Sequence, residues 1–82
     1  MPTIHRERNY KFRFYSLEDN EPPHIHVWSP NGQMKVWLND DLEVEECYDI
    51  PLHEWSKILK IIKEKKLEFI KKYHEFNQWT NN

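Results

Sequence analysis

The chain has 82 residues and a formal net charge of −2, so its length suits a single domain, residues 1–82, that buries only about 60–65% of its unfolded surface. Its only cysteine, Cys47, excludes an internal disulfide and a zinc site built on several cysteines. No apolar run approaches the ~20 residues that span a bilayer, and the first residues lack the apolar segment of a signal peptide, so we expect a cytoplasmic protein.

Two strands are predicted near the N-terminus. Residues 3–8 form a short candidate strand, and residues 10–15 alternate with period two, as half-buried strands do. The apolar face of the second strand carries Tyr10, Phe12 and Phe14. Its other face carries Lys11, Arg13 and Tyr15. We expect the first set in the core.

A polar loop then leads into the most informative stretch of the chain, Pro22-Pro23-His24-Ile25-His26-Val27. The residues before the prolines are pushed to extended geometry, so residues 24–28 enter a strand already straight. Because a strand alternates its side chains, His24 and His26 point the same way, roughly 7 Å apart. Ile25 and Val27 point the other way, into the core.

A hairpin is predicted after this strand. Residues 29–32, Ser-Pro-Asn-Gly, have turn composition, and Gly32, the only glycine, is expected to supply a positive φ. Residues 33–38 return as a strand. A further strand begins near residue 42 and frays at residues 45–46.

The second half of the chain predicts one long helix over residues 51–76. Asp49 is expected to cap it, and Pro51 is tolerated in a first turn. No proline or glycine follows, although Lys66 interrupts the apolar stripe. At helical period the stripe contains Leu52, Trp55, Ile58, Leu59, Ile62, Phe69, Ile70, Tyr73 and Phe76.

The predicted fold class is therefore α+β: a three- to four-stranded antiparallel β-meander, residues 3–46, packed on one long C-terminal α-helix. The expected core face of the sheet carries Phe12, Phe14, Ile25, Val27, Met34, Val36 and Leu38. A single helix cannot cover both faces of a sheet. The second face, with the histidines, is open or is covered by a partner.

Charge is distributed unevenly along the chain. Residues 39–54 contain seven acids and no Lys or Arg, whereas residues 57–72 contain seven lysines against two glutamates. The plainer interpretation is an acidic loop and strand followed by a solvated helix face. The sharper one is a basic surface for nucleic acid or for an acidic partner.

His24 and His26 allow four interpretations. They are candidate catalytic groups, because two histidines near pH 7 suit metal-independent RNA cleavage. They are alternatively part of a binding surface without chemistry, or hydrogen-bonding groups that hold the Pro-Pro turn. A metal site is ranked lower, since one H-x-H pair leaves the coordination of zinc incomplete; no metal and no cofactor is predicted.

Five other residues complete the candidate binding surface: Arg13, Tyr15, Trp28, Lys35 and Trp37. Trp28 and Trp37 are expected to be cross-strand neighbours, and a patch with two Trp and a Tyr is typical of an interface. We expect it to bind RNA, a second copy of the chain in a homodimer, or a cognate protein. The alternative is that residues 16–20 fold over the aromatic rings.

The start Met1-Pro2-Thr3-Ile4, the triplet Arg13-Phe14-Tyr15 and the motif Asn20-x-Pro-Pro-His24-x-His26-Val27 resemble the small bacterial proteins of domain-of-unknown-function family 4160. The resemblance implies a component of a two-gene, toxin–antitoxin-type module, encoded beside another small gene. It transfers the histidine pair to His24 and His26 without a catalytic role. The function expected is action on RNA or a protein partner through the His/aromatic/basic face, with a non-catalytic interaction module as the alternative.

Overall fold

Five antiparallel strands form a meander in the computed structural model, which describes residues 3–14 and 21–80, with side chains as far as Phe76. The order across the sheet equals the order along the chain. The strands are β1 (Thr3–Glu7), β2 (Tyr10–Arg13), β3 (His24–Trp28), β4 (Gln33–Trp37) and β5 (Val44–Tyr48). The α+β class and the meander are confirmed, but the sheet has five strands where three to four were predicted.

Two helices follow the sheet and pack on one of its faces: α1 (Leu52–Glu64) and α2 (Lys66–Thr80). All seven residues predicted for the core face of the sheet are buried. The helices contribute Ile58, Ile61, Ile62, Phe69 and Tyr73 to the same core. Leu52 is an exception to the predicted stripe, because its side chain is 74% exposed. No helix in residues 3–14 and 21–80 is long and apolar enough to cross a membrane.

The predicted single helix is wrong, because the chain leaves helical geometry at Lys65, which has φ −112° and ψ 15°. The Lys65 N–H is shared between the carbonyls of Ile61 and Ile62, a pattern common at helix ends. The break falls where the apolar stripe carries Lys65 and Lys66 instead of a core residue. No apolar side chain packs that turn against the sheet, so the helix is interrupted there and α2 begins as a separate helix.

The start of α1 also differs from the prediction. Pro51 is the N-cap residue and makes no side-chain capping bond, while the Glu54 N–H donates to the Pro51 carbonyl at 2.9 Å. Asp49 lies before the cap with φ 57°, in the left-handed region that Asp tolerates better than most residues. Asp49 therefore reverses the chain between β5 and α1 instead of capping the helix.

Gly32 closes the β3–β4 hairpin for a different reason from the one expected. Its φ is not positive, but a Cβ placed on it would collide with the carbonyl oxygens of Tyr48 and Asp49. The hairpin tip therefore lies directly against the backbone at the end of β5. Only a residue without a side chain fits there.

Candidate functional site

The outer face of the sheet, on the side away from the helices, carries the residues that alternate with the core. Cross-strand pairing aligns Arg6 with Lys11 and Trp28, and it aligns Arg13 with His26 and Lys35. At one end of the sheet His24 pairs with Trp37. Strand alternation thus brings most of the predicted site residues to one face. Tyr15, also predicted to bind, lies outside the described residues.

His24 is the one buried polar or charged side chain of the described residues, with 1% of its surface exposed. Its ring lies on the same side as that of His26, with the ring centroids 5.3 Å apart. Trp37 of β4 and Tyr73 of α2 also contact it, at centroid distances of 5.4 and 5.6 Å. The expectation of a shared face holds, but His24 is enclosed and not presented to solvent.

The hydrogen bonds of His24 hold the segment that precedes β3. Its Nδ1 lies 2.9 Å from the Pro22 carbonyl oxygen, so we assign the proton to Nδ1, which donates this bond. Nε2 is 3.8 Å from a carboxylate oxygen of Glu21. The Tyr73 hydroxyl donates to the Glu21 carbonyl at 3.3 Å. These contacts match the interpretation in which the histidine fixes the Pro-Pro turn.

Lys35 and Trp37 form a second local cluster. Lys35 Nζ contacts both carboxylate oxygens of Glu21 at 2.9 Å and lies 4.7 Å from the centroid of the Trp37 ring. The Trp37 Nε1–H donates to Glu45 at 3.0 Å. The predicted binding role of Lys35 thus competes with a carboxylate of the same chain that contacts it through both oxygens.

Trp28 and Trp37 are not cross-strand neighbours, contrary to the prediction. Trp28 pairs with Gln33 beside the hairpin turn, and Trp37 pairs with His24 at the other end of the two strands. The reason is the four-residue loop, which fixes the register of the hairpin. The two indoles therefore belong to different ends of the outer face.

The end that carries Trp28 contains a cleft of about 600 Å³ with a marked positive charge. Among the described residues, four cationic side chains line it and no carboxylate does. The lining residues are Arg6, Arg8, Asn9, Tyr10, Lys11, Arg13, Trp28, Ser29 and Pro30. We call this the basic cleft. Its volume is within the range of small-ligand sites.

Arg13 and Trp28 form a cation–π pair in the lining of the basic cleft. The guanidinium of Arg13 lies 5.6 Å from the Trp28 ring centroid, and its Nη2 donates to the Thr3 hydroxyl at 3.1 Å. Arg13 Nε is the only buried side-chain nitrogen or oxygen in the described residues that has no hydrogen-bond partner. Because a buried donor without an acceptor destabilises a fold, this unmatched Nε–H has an energetic cost.

Two further features of the basic cleft carry a folding cost. Arg6 and Lys11 lie directly opposite each other on β1 and β2, an arrangement that places like charges side by side. Arg8, in the turn between these strands, has φ 56°, a region that favours glycine and is unfavourable for a long side chain. Local choices that oppose stability are typical of functional positions.

The opposite edge of the outer face is acidic. β5 pairs with β4 through Lys35 and Glu46, and a register shift beside this pair leaves Glu45 as an extra residue. Two acids of the stretch identified from composition, Glu45 and Glu46, thus lie on the edge strand farthest from β1. Cations at one side and carboxylates at the other separate charge across a single sheet.

Tyr10 lies at the floor of the basic cleft and points into the protein. It is buried, and its hydroxyl donates to Glu54 of α1 at 2.6 Å. Burial, with the hydrogen bond and the negative charge of Glu54, raises the pKa of Tyr10 to about 12. This hydroxyl therefore stays protonated under ordinary conditions and ties α1 to the β2 end of the cleft.

The histidines do not gather further metal ligands in the part of the chain that the structure describes. No group of three or more His, Cys, Asp or Glu side chains lies close enough there to hold a metal ion. Cys47 is a free thiol that donates to the Ile50 carbonyl at 3.6 Å. In the structure, His24 and Cys47 both act as hydrogen-bonding groups.

Sequence reasoning found Arg13 and Trp28 but missed Arg6 and Arg8. The signal was present in the spacing, because Arg6 and Lys11 pair across the turn that contains Arg8, and Arg13 follows Lys11 two residues later on β2. In an antiparallel hairpin such pairs fall on one face. The charge pattern of the sequence indicated the lysine-rich helices instead. Of their lysines, Lys57 and Lys60 of α1 line a smaller depression together with Arg8, with a volume of about 400 Å³.

The fold and the cleft define a small α+β protein whose sheet has one face covered by helices and one face that carries the basic cleft. The chain belongs to the family described as Domain of unknown function (DUF4160), whose model matches residues 9–74. That span covers strands β2 to β5, helix α1 and most of helix α2. No curated protein and no solved structure gave a significant match.

Proposed function

We propose that this protein binds single-stranded RNA through the basic cleft and the adjoining outer face of the sheet. The observation that carries the proposal is the cleft itself, where the described lining has four cations, one indole and no carboxylate in about 600 Å³. Phosphates supply the charge that this lining lacks, and an indole offers a stacking surface for a base. Single strands present both groups at once.

Two features of the cleft support an anionic ligand over an apolar one. A phosphate near Arg6 and Lys11 would neutralise two like charges that otherwise repel each other across the hairpin. It would also offer acceptors to a guanidinium whose Nε has none in the described chain. An open sheet face with aromatic and basic side chains is a recurrent RNA-binding design.

We propose binding without cleavage as the principal activity. A catalytic pair requires both histidines to reach the ribose and the leaving oxygen, and His24 is 1% exposed with its Nδ1 bonded to Pro22. Metal-independent ribonuclease activity through His24 and His26 is the second candidate. It is supported by the 5.3 Å spacing of their rings. Intact RNA after long incubation with the protein would count against it.

In the cell, we propose that this binding serves a two-gene, toxin–antitoxin-type module in the cytoplasm. The support is the family resemblance together with a surface suited to RNA. The rival is a pure interaction module in which the same face contacts a cognate protein or a second copy. The two differ in salt dependence, because RNA binding releases counterions and a protein contact centred on Trp28 does not.

The test is fluorescence anisotropy with a labelled decauridine RNA over a salt series. If all four cations contact phosphates, log Kd should change with log salt with a slope of about 3, since each contact on a single strand contributes about 0.7. Arg6→Ala and Lys11→Ala should each lower that slope by about 0.7. Both side chains are exposed, so their removal should leave the fold intact.

Lys63→Ala is the matched control, because Lys63 is an exposed cation on α1 that does not line the basic cleft. It changes net charge equally and should leave the slope unchanged. Equal effects of Lys63→Ala and Lys11→Ala would show that the RNA responds only to overall charge. Tighter binding of duplex than of single strands would contradict the proposed stacking on Trp28.

A further inference from the structure

The edge of the sheet opposite the basic cleft has backbone donors and acceptors that no neighbouring strand of the described chain pairs with. In the described chain β5 pairs with β4 on one side only, so its other side is left as an open edge of backbone donors and acceptors. β5 ends beside the first turn of α1. There a groove of about 550 Å³ is lined by Cys47, Asp49, Ile50, Pro51, Leu52 and Trp55.

Exposed apolar side chains concentrate at this edge. The described residues include three large exposed apolar side chains, and two of them, Tyr48 (55%) and Leu52 (74%), flank the end of β5. Neither is explained by the core, which Leu52 was predicted to join. Exposed apolar residues that cluster beside an open strand are typical of a protein interaction site.

The charge around the edge selects among its potential occupants. Glu43, Glu46 and Asp49 are exposed and have no cation within ion-pair distance in the structure as described. A second copy that paired β5 with β5 would bring these carboxylates together, which is unfavourable. An extended segment with cationic side chains would instead neutralise them.

We propose that β5 and the adjoining groove bind an extended, basic segment of a partner protein by strand addition. The partner's backbone pairs with the free edge of β5, its Lys or Arg side chains face the glutamates, and an apolar side chain enters the groove beside Leu52 and Trp55. The groove and the basic cleft share no lining residue, and β1 and β5 are the two opposite edges of the sheet. The proposal does not depend on RNA binding.

The test uses a nine-residue peptide of alternating lysine and valine, followed by amide chemical shifts of the protein. We expect shifts and slowed hydrogen exchange at residues 44–48, and an affinity that falls about tenfold between roughly 50 and 300 mM NaCl. A glutamate–valine peptide should not bind. A lysine–valine peptide with N-methylated valines should lose at least about tenfold in affinity, because it cannot donate to β5.

Two protein variants locate the site. Glu46→Lys and Leu52→Asp change exposed side chains, so both should fold, and each should weaken peptide binding by about tenfold. Glu75→Lys on α2 is the control with the charge change of Glu46→Lys, and it should leave the affinity within about threefold.

Several outcomes would overturn the proposal. These are the absence of binding to the lysine–valine peptide, shifts confined to other strands, and equal weakening by Glu75→Lys. A free protein that sediments as a dimer with protected β5 amides would also overturn it, since a second copy would then occupy the edge. Loss of RNA binding with intact peptide binding would leave this site standing while removing the proposed RNA function.

Discussion

At the scale of single residues, His24 shows how one position can satisfy local strand geometry and still be removed from solvent. Its place on β3 puts it on the outer face, yet Trp37 and Tyr73 enclose its ring and Pro22 accepts its Nδ1 proton. The histidine motif was predicted from the sequence. Its burial was not, because Tyr73 comes from α2 and only the three-dimensional fold brings it there.

We expect His24→Ala to destabilise the protein by about 2–4 kcal/mol, the sum of a lost buried ring and a lost hydrogen bond. That loss should be at least as large as the loss for Val27→Ala, a buried core control on the same strand. Urea unfolding midpoints give both values. A loss under about 1 kcal/mol for His24→Ala, accompanied by lost RNA binding, would instead assign His24 to the ligand.

Tyr10 predicts a specific response to alkaline pH. Its pKa is raised to about 12 in the folded protein, against 10.0 when unfolded, so above pH 10 the unfolded state loses the proton first. The stabilisation is therefore complete below pH 10 and is lost as the pH rises towards 12.

The comparison protein is Tyr10→Phe, which keeps the ring and removes the titrating group. Unfolding midpoints measured at about pH 9 and about pH 11.5 should fall more for the natural protein than for Tyr10→Phe. The two proteins differ only in this hydroxyl, so the difference between their losses isolates its contribution. Parallel losses would show that the Tyr10–Glu54 hydrogen bond does not perturb this hydroxyl.

At the scale of elements, period-two alternation placed the strands well, and helical period placed the stripe. What it could not place was the break at Lys65, since neither proline nor glycine marks it. The last strand was predicted to begin near residue 42 and to fray at residues 45–46, whereas β5 spans Val44–Tyr48. The prediction missed its second half because the strand lacks an apolar alternation over its acidic middle. Such an edge strand is held by backbone pairing to β4 more than by buried side chains.

The hairpin tip offers a test of packing between elements. Gly32→Ala should destabilise the protein by about 3 kcal/mol or more, because the new Cβ would meet backbone carbonyls of Tyr48 and Asp49 that cannot rotate away. Asn31→Ala, at the exposed neighbouring position, should stay within about 0.5 kcal/mol. Thermal unfolding of the two variants gives the difference, and equal values would mean that the tip moves freely from β5.

At the scale of the whole molecule, the fold class, the core and most residues of the outer face were available from the sequence, whereas the basic cleft was not. Composition located the cations on the helices and the acids in the middle of the chain. The cleft instead gathers Arg6, Arg8, Lys11 and Arg13, which are few enough to leave the net charge negative. Only the hairpin register shows that they converge.

The separation of charge between β1–β2 and β5 also gives the sheet an electric dipole. In the field of a polyanion this dipole exerts a torque, so the molecule turns its cationic end forward before any contact forms. Salt should then slow the association rate far more than it raises the dissociation rate, which stopped-flow mixing with RNA can resolve. The order of the strands would therefore determine which end of the molecule meets the RNA first.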